Sequence, residues 1–300
     1  MATPPNRIAL VFDCDDTLAQ DTTVWLLREL GANPDEIFKE AGGMIRNGWD
    51  PPLAYLSIIL RESRDTGKLT AFKRPKLAEL AKNSKNIFYP GADNLFERLR
   101  SAVQTEKRYR DLGIQVSFYI ITGGIEEFVR ETQVGKTADE VWGSSFDYDE
   151  AGKPIAIKNA VSFTEKSRYL FCINKGVTSS ARTTPYIVNC SEPEREHRAV
   201  PFSNMIYIGD GPSDIPCMSI VTQYKGKVIG ILSKKTKRVW ELGEGRRVDL
   251  MIPADYRDGE LGYLNLRRVV LEVAESIHRK WEYLRPPTPE YGFEGGNNGV

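Results

Sequence analysis

Short apolar runs alternate with amphipathic stretches along most of this chain. The run Arg-Ile-Ala-Leu-Val-Phe at residues 7–12 is continuous rather than alternating, the pattern of a strand covered on both faces. Comparable runs stand at 115–121, 205–208, 228–232 and 249–252, with a shorter one at 140–143. Between them apolar residues recur at helical spacing, at 93–110, 125–132, 165–174, 212–221, 237–242 and 264–284. Residues 145–158 carry the turn signals Asp149-Glu150 and Gly152-Lys153, which mark a hairpin. This alternation predicts an α/β fold with a mostly parallel sheet flanked by helices. In such open sheets ligands bind at the carboxyl ends of the strands.

The rhythm breaks between about residues 21 and 88. Helices are expected there at 23–30, 35–45, 53–64 and 73–82, without any strand-like run. Residues 20–88 are therefore read as a separate helical module that splits a core into 1–19 and 89–285, with Pro90-Gly91 marking the return. Residues 178–200 are polar and rich in Ser, Thr and Pro, and are read as a surface insertion with a short strand at 186–188. Beyond Pro286 the Pro- and Gly-rich composition predicts a disordered tail over 286–300.

Lys+Arg and Asp+Glu both number 41, so net charge gives no case for nucleic acid or an anionic membrane as a partner. No apolar run nears the roughly 18 residues that span a bilayer. The first residues lack the basic and apolar regions of a signal peptide, so a cytoplasmic protein is expected. Cys14, Cys172, Cys190 and Cys217 show no CxxC spacing, and His197 and His278 are the only histidines. That excludes a zinc ribbon and HExxH chemistry, and leaves carboxylates and lysine to carry any reaction.

Such groups stand at strand ends. After the first strand comes Asp13-Cys14-Asp15-Asp16-Thr17-Leu18. Two carboxylates two residues apart on extended backbone point the same way, with Cys14 aimed opposite. The pair can hold a hard cation, and one member can act as a nucleophile; a plain acidic turn is the alternative. Thr122-Gly123-Gly124 follows the 115–121 run, where a hydroxyl and two glycines allow close approach of backbone N–H groups to an anion, or simply make a tight turn. Gly209-Asp210-Gly211-Pro212-Ser213-Asp214 puts two more acids at a third strand end, and Asp214 could equally cap the helix that follows. Lys166 opens a helix against the macrodipole, which is unfavourable unless an acid or anion partners it. A solvated surface lysine is the ordinary alternative.

In their order along the chain, Asp13/Asp15/Thr17, Thr122, Lys166 and Asp210/Asp214 resemble the four motifs of the haloacid dehalogenase-like (HAD) phosphohydrolase superfamily. The resemblance spans residues 7–255 outside the helical module and the 178–200 insertion. It implies a Rossmann-like core with a helical C1 cap. It further implies Asp13 as the nucleophile that forms an aspartyl-phosphate, and Asp15 as general acid and base. Mg²⁺ would be held by Asp13, the backbone carbonyl of Asp15 and Asp210. Thr17, Thr122, the Gly123 N–H and Lys166 would bind the phosphoryl group, while Asp214 would orient Lys166 or a water on the metal. Lys175, near the other end of the same helix, is the second choice for the lysine.

The stretch Phe88-Tyr89-Pro90-Gly91-Ala92 resembles the phosphoserine-phosphatase-like branch. That branch reads its amino acid with a glutamate just past the first motif and an arginine from the cap. Here Thr22 stands near the glutamate's place with Asp21 beside it, and only Arg61 lies near the arginine's, so phosphoserine itself is not implied. The implied activity is Mg²⁺-dependent hydrolysis of a small phosphorylated metabolite. A phosphotransferase or mutase, a dehalogenase, and a catalytically idle HAD-fold binding protein are the alternatives.

Overall fold

The structure is a computed structural model and describes residues 5–189, 198–232 and 248–284. The helix expected at 237–242 and the tail at 286–300 lie outside the described residues, as do Cys190 and His197. Seven strands form one sheet: β1 (Arg7–Phe12), β2 (Gln115–Ile125), β3 (Glu140–Tyr148), β4 (Pro154–Asn159), β5 (Met205–Gly209), β6 (Lys227–Leu232) and β7 (Leu250–Pro253), in the order β4-β3-β2-β1-β5-β6-β7. Every neighbouring pair is parallel except β3 with β4, the expected hairpin.

β1 lies at the centre, and its unbroken apolar sequence is explained by what covers it. Ile8, Leu10 and Phe12 face one buried cluster, in which Phe12 meets Phe96 at 5.3 Å between ring centroids and Phe96 stacks on Phe118 at 4.4 Å. Ala9 and Val11 face the other cluster, with Leu170, Tyr207 and Cys217. The period of two thus sends alternate side chains into two different cores. Because the chain crosses to β2 on one side of β1 and β5 on the other, the carboxyl end of β1 is the switch point where such sheets open a crevice.

Four helices lie between β1 and the next core helix: α1 (Thr22–Glu29), α2 (Pro34–Arg46), α3 (Pro51–Glu62) and α4 (Arg74–Lys82). Three begin on capping side chains: Asp21 accepts from the Val24 N–H at 2.8 Å, Asn33 from Asp35 at 3.1 Å and Asp50 from Leu53 at 3.3 Å. Proline fills the first turn of α2, α3 and α4, where its missing N–H costs nothing. Leu26, Leu27, Ile59 and Leu77 of these helices belong to the same apolar cluster as Leu10 and Phe12. The chain returns through Gly91 at φ 78°, where a Cβ would stand 2.5 Å from the Tyr256 backbone; glycine is required by both facts.

The remaining helices among the described residues are α5 (Leu95–Thr105), α6 (Lys107–Asp111), α7 (Glu126–Glu131), α8 (Gln133–Thr137), α9 (Phe163–Lys175), α10 (Ile215–Gln223) and α11 (Leu261–Leu284). Four details differ from the sequence pattern. The helix expected at 93–110 is two, because Glu106 is extended at φ −78°, ψ 112°. β2 continues past Ile121 through the Thr-Gly-Gly segment, slipping register against β3 between Ile121 and Ile125. β3 runs on to Tyr148, since the hairpin continues the strand rather than following it. Residues 186–188 lie in a 3₁₀ turn (Pro185–Asn189) rather than a strand; Pro185 fixes φ near the helical value, and the sheet edges are already β4 and β7.

Candidate active site

Asp13 and Asp210 directly follow β1 and β5, and Thr122 lies near the end of the adjacent β2, which places all three at the switch point. The Asp13 backbone N–H donates to Ile208 O at 2.8 Å, so the end of β1 is tied to β5. The residue is 5% exposed, and its carboxylate Oδ1 accepts from the Cys14 N–H at 2.8 Å. Lys166, in the first turn of α9 and 2% exposed, places Nζ 2.9 Å from Asp13 Oδ1 and 2.8 Å from Asp214 Oδ1. Tyr207 O–H donates to Asp214 Oδ1 at 2.7 Å and the Gly211 N–H to Oδ2 at 3.2 Å. Gly209 makes room for this: a Cβ there would stand 2.5 Å from Asp214 Oδ2.

Burial opposes the charge on Lys166, but the attraction of Asp13 and then Asp214 outweighs it and raises its pKa. The lysine that opens a helix against the dipole therefore has two acidic partners. Asp13 is pushed up to about 7, chiefly by burial, with Lys166 pulling it back. Asp210 is pushed up to about 9 by burial and then by the negative charges of Asp13 and Asp214. Asp13, Asp210 and Asp214 offer carboxylate oxygens that all lie within 4.8 Å of one another. Asp214 already takes three donors, which leaves Asp13 and Asp210 as the pair open to a cation. Buried oxygens carrying more negative charge than one ammonium can balance suit a hard divalent ion.

The other side of the site is built around Asp15. Its Oδ1 accepts from the Thr22 N–H at 2.7 Å, at the start of α1. Its Oδ2 stands 3.5 Å from Thr122 Oγ1, which itself accepts from the Gly124 N–H at 2.9 Å. A Cβ on Gly124 would lie 2.9 Å from Thr22 Oγ1, 3.1 Å from Asp15 Oδ2 and 3.2 Å from Thr122 Oγ1, so the second glycine is what lets three oxygens gather there. Burial, then the charges of Asp21 and Asp13, push Asp15 up to about 8. A carboxyl so raised can hold a proton near neutral pH. From α3, Tyr55 O–H donates to the Gly123 carbonyl at 2.5 Å.

Asp13, Asp15, Thr122, Gly123, Lys166, Asp210 and Asp214 are thus brought together at one end of the sheet. Thr17 is fully buried with its hydroxyl unpartnered, and its carbonyl accepts from Tyr256 O–H at 2.6 Å. Lys175 is elsewhere, donating to Val188 O at 2.8 Å. Arg61 pairs at the surface with Glu40 at 2.6 Å and Glu62 at 2.9 Å. Thr22 turns its backbone N–H to Asp15 and keeps its buried hydroxyl beside the same carboxylate. Tyr207 and Tyr55 were missed by sequence reasoning; each was signalled only as a phenol inside an otherwise apolar run, where a buried O–H needs an acceptor.

Comparison with known proteins follows the same lines. A model of the haloacid dehalogenase-like hydrolase family matches residues 10–219. An uncharacterized protein of Borreliella burgdorferi is 24% identical over 279 residues, covering 85% of this chain and 93% of that one. Among solved structures, a HAD-family hydrolase from Salmonella enterica serovar Typhi superposes with a TM-score of 0.51 at 16% identity, over 83% of this chain and 68% of that one. A cytosolic 5′-nucleotidase IIIB bound to cytidine gives 0.51 at 15% identity, over 92% of this chain and 88% of that one. At such identities the two structures speak to fold alone. The family match spans more than half of the chain and takes in the end of β1, all of β2, β5 and α9, and all the gathered acids, and the chain belongs to the haloacid dehalogenase-like hydrolase family.

Proposed function

We propose that this protein is a Mg²⁺-dependent phosphomonoester hydrolase that acts on a small phosphorylated metabolite through an aspartyl-phosphate on Asp13. The observation that carries the reading is the buried Lys166 bridging Asp13 and Asp214, with Asp15 facing Thr122 across the same strand ends. Asp13 attacks phosphorus in line as the ester oxygen leaves, and Asp15 gives that oxygen its proton. Asp15, now ionised, takes a proton from the water that cleaves the acyl phosphate, which frees phosphate and restores Asp13. Thr122 and the Gly123 N–H hold the phosphoryl oxygens, Lys166 compensates their charge, and Asp214 holds Lys166 in place. Asp13, the Asp15 carbonyl and Asp210 would hold Mg²⁺, which when bound adds positive charge against the phosphoryl oxygens.

In this reading residues 1–19 and 89–285 form the core, and 20–88 form a cap over the site. Thr22 and Tyr55, both from the helical segment, reach Asp15 and Gly123, as a cover that excludes water would. The proposed place of action is the cytoplasm, consistent with Cys14 and Cys217 both being free thiols. Among the described residues no helix is long and apolar enough to cross a membrane. The test is release of phosphate from p-nitrophenyl phosphate with Mg²⁺, and its loss in EDTA. A panel of sugar phosphates, phosphorylated amines and nucleoside monophosphates then finds the substrate. Full activity without metal, or no turnover of any ester, overturns the reading.

A further inference from the structure

Tyr55 joins the helical segment to the catalytic loop through one peptide unit, with the Ser144 side chain beside its phenol. Its O–H donates to the Gly123 carbonyl, 68 residues away, at 2.5 Å. The opposite end of that peptide, the Gly124 N–H, donates to Thr122 Oγ1 at 2.9 Å. A hydroxyl that accepts on one side turns its own proton elsewhere, and Asp15 Oδ2 stands 3.5 Å away. The chain therefore runs from the Tyr55 phenol through one peptide and the Thr122 hydroxyl to Asp15. Glycine flanks the peptide on both sides, so side-chain sterics do little to hold its orientation. The two hydrogen bonds hold it instead. Burial, together with the nearby charges of Asp15, Asp21 and Asp50, keeps the Tyr55 phenol well above its ordinary pKa and hence a donor.

We propose that Tyr55 is a positioning residue that, by fixing the Gly123–Gly124 peptide, aims the Thr122 hydroxyl and so readies Asp15 for proton transfer when α3 is seated on the site. This rests on the phosphohydrolase reading above, in which Thr122 and Asp15 handle the phosphoryl group and the leaving oxygen. The Tyr55 O–H is engaged by the Gly123 carbonyl, so on this proposal its effect belongs in kcat and not in KM.

The experiment is Tyr55→Phe in the full chain, which removes one oxygen and keeps the ring that packs against Phe38 at 5.9 Å. Against a primary alkyl phosphate, kcat is expected to fall about tenfold with KM within twofold, the loss of one well-placed hydrogen bond. Amide hydrogen exchange at Gly124, which needs no turnover, is expected to quicken by about tenfold while exchange in β1 stays unchanged. A raised KM at constant kcat makes Tyr55 a substrate contact and overturns the proposal. A lowered Tm with kcat and Gly124 exchange both unchanged makes its role merely structural, and also overturns it. Quickened Gly124 exchange in a protein that hydrolyses no ester supports the hydrogen-bonded chain and overturns the phosphohydrolase reading.

Discussion

On the Asp13 side of the site, the polar partners come from the α/β core itself. Lys166 is held by Asp13 and Asp214, and Asp214 in turn by Tyr207 and the Gly211 backbone. On the Asp15 side, the partners of the carboxylate and its loop come partly from the helices between β1 and α5: Thr22 N–H from α1 and Tyr55 O–H from α3. One side is therefore a fixed set of charges, and the other is completed only when a second part of the chain is in place. In the proposed reaction the two suit different tasks. In-line attack needs a nucleophile and countercharge that do not reorganise, whereas a group that both gives and takes a proton must have its surroundings set once substrate is enclosed.

The largest effect expected from breaking this contrast is on the fixed side. Asp13→Asn removes the attacking oxygen's charge, and turnover should fall by about 10⁴-fold or more, with no phosphoprotein detectable by mass spectrometry of quenched enzyme. Near-normal kcat would assign the nucleophile elsewhere. Asp15→Asn tests the other side and should separate the two half-reactions. An activated aryl phosphate needs no proton to leave, so about one equivalent of aryl alcohol should appear quickly before turnover stalls. Steady-state hydrolysis should drop by about 10²–10⁴-fold, leaving phosphate on the peptide that contains Asp13. Release of phosphate without that adduct would favour direct attack by water.

The smallest change sharpens the comparison. Tyr207→Phe removes one donor from Asp214 but leaves Lys166 and the Gly211 N–H in place. A lost hydrogen bond to a buried carboxylate is worth about 1.5–3 kcal/mol, which urea unfolding should show as a lower midpoint at unchanged slope. Activity of the folded variant should stay within a few-fold. A collapse of kcat at normal stability would mean that the core half is less rigid than its bonding implies.

How far the site could be read in advance follows the same division. Asp13, Thr122 and Asp210 were legible because apolar runs mark buried strands and chemistry gathers where such runs stop. The sequence favours Lys166 over Lys175 because only the start of α9 meets the strand ends; Lys166 reaches Asp13 and Asp214 there, and Lys175 donates to Val188 O. Tyr55 was not legible. Its partner lies 68 residues downstream, and nothing in the spacing of α3 distinguishes it from a core aromatic. Thr22 stands out in the sequence only as a departure from a substrate-reading glutamate, and no local pattern shows that its backbone N–H binds Asp15. The break at Glu106 and the continuation of β2 through Gly123 are backbone choices settled by tertiary packing, which local pattern does not encode.

The central position of β1 also sets an order of events during protein synthesis. β1 lies between β2 and β5, and the Asp13 N–H bonds to Ile208. The Thr17 carbonyl waits for Tyr256, 239 residues later. At roughly 5–20 residues per second on the ribosome, the nascent chain carries this apolar strand for about 10–50 s before its last neighbours are translated. The helices of residues 22–82 emerge directly after it and share its apolar cluster, so they are the first available shelter for Leu10 and Phe12. The segment that completes the Asp15 side of the finished site is thus also placed to guard the oldest part of the sheet while the chain is unfinished.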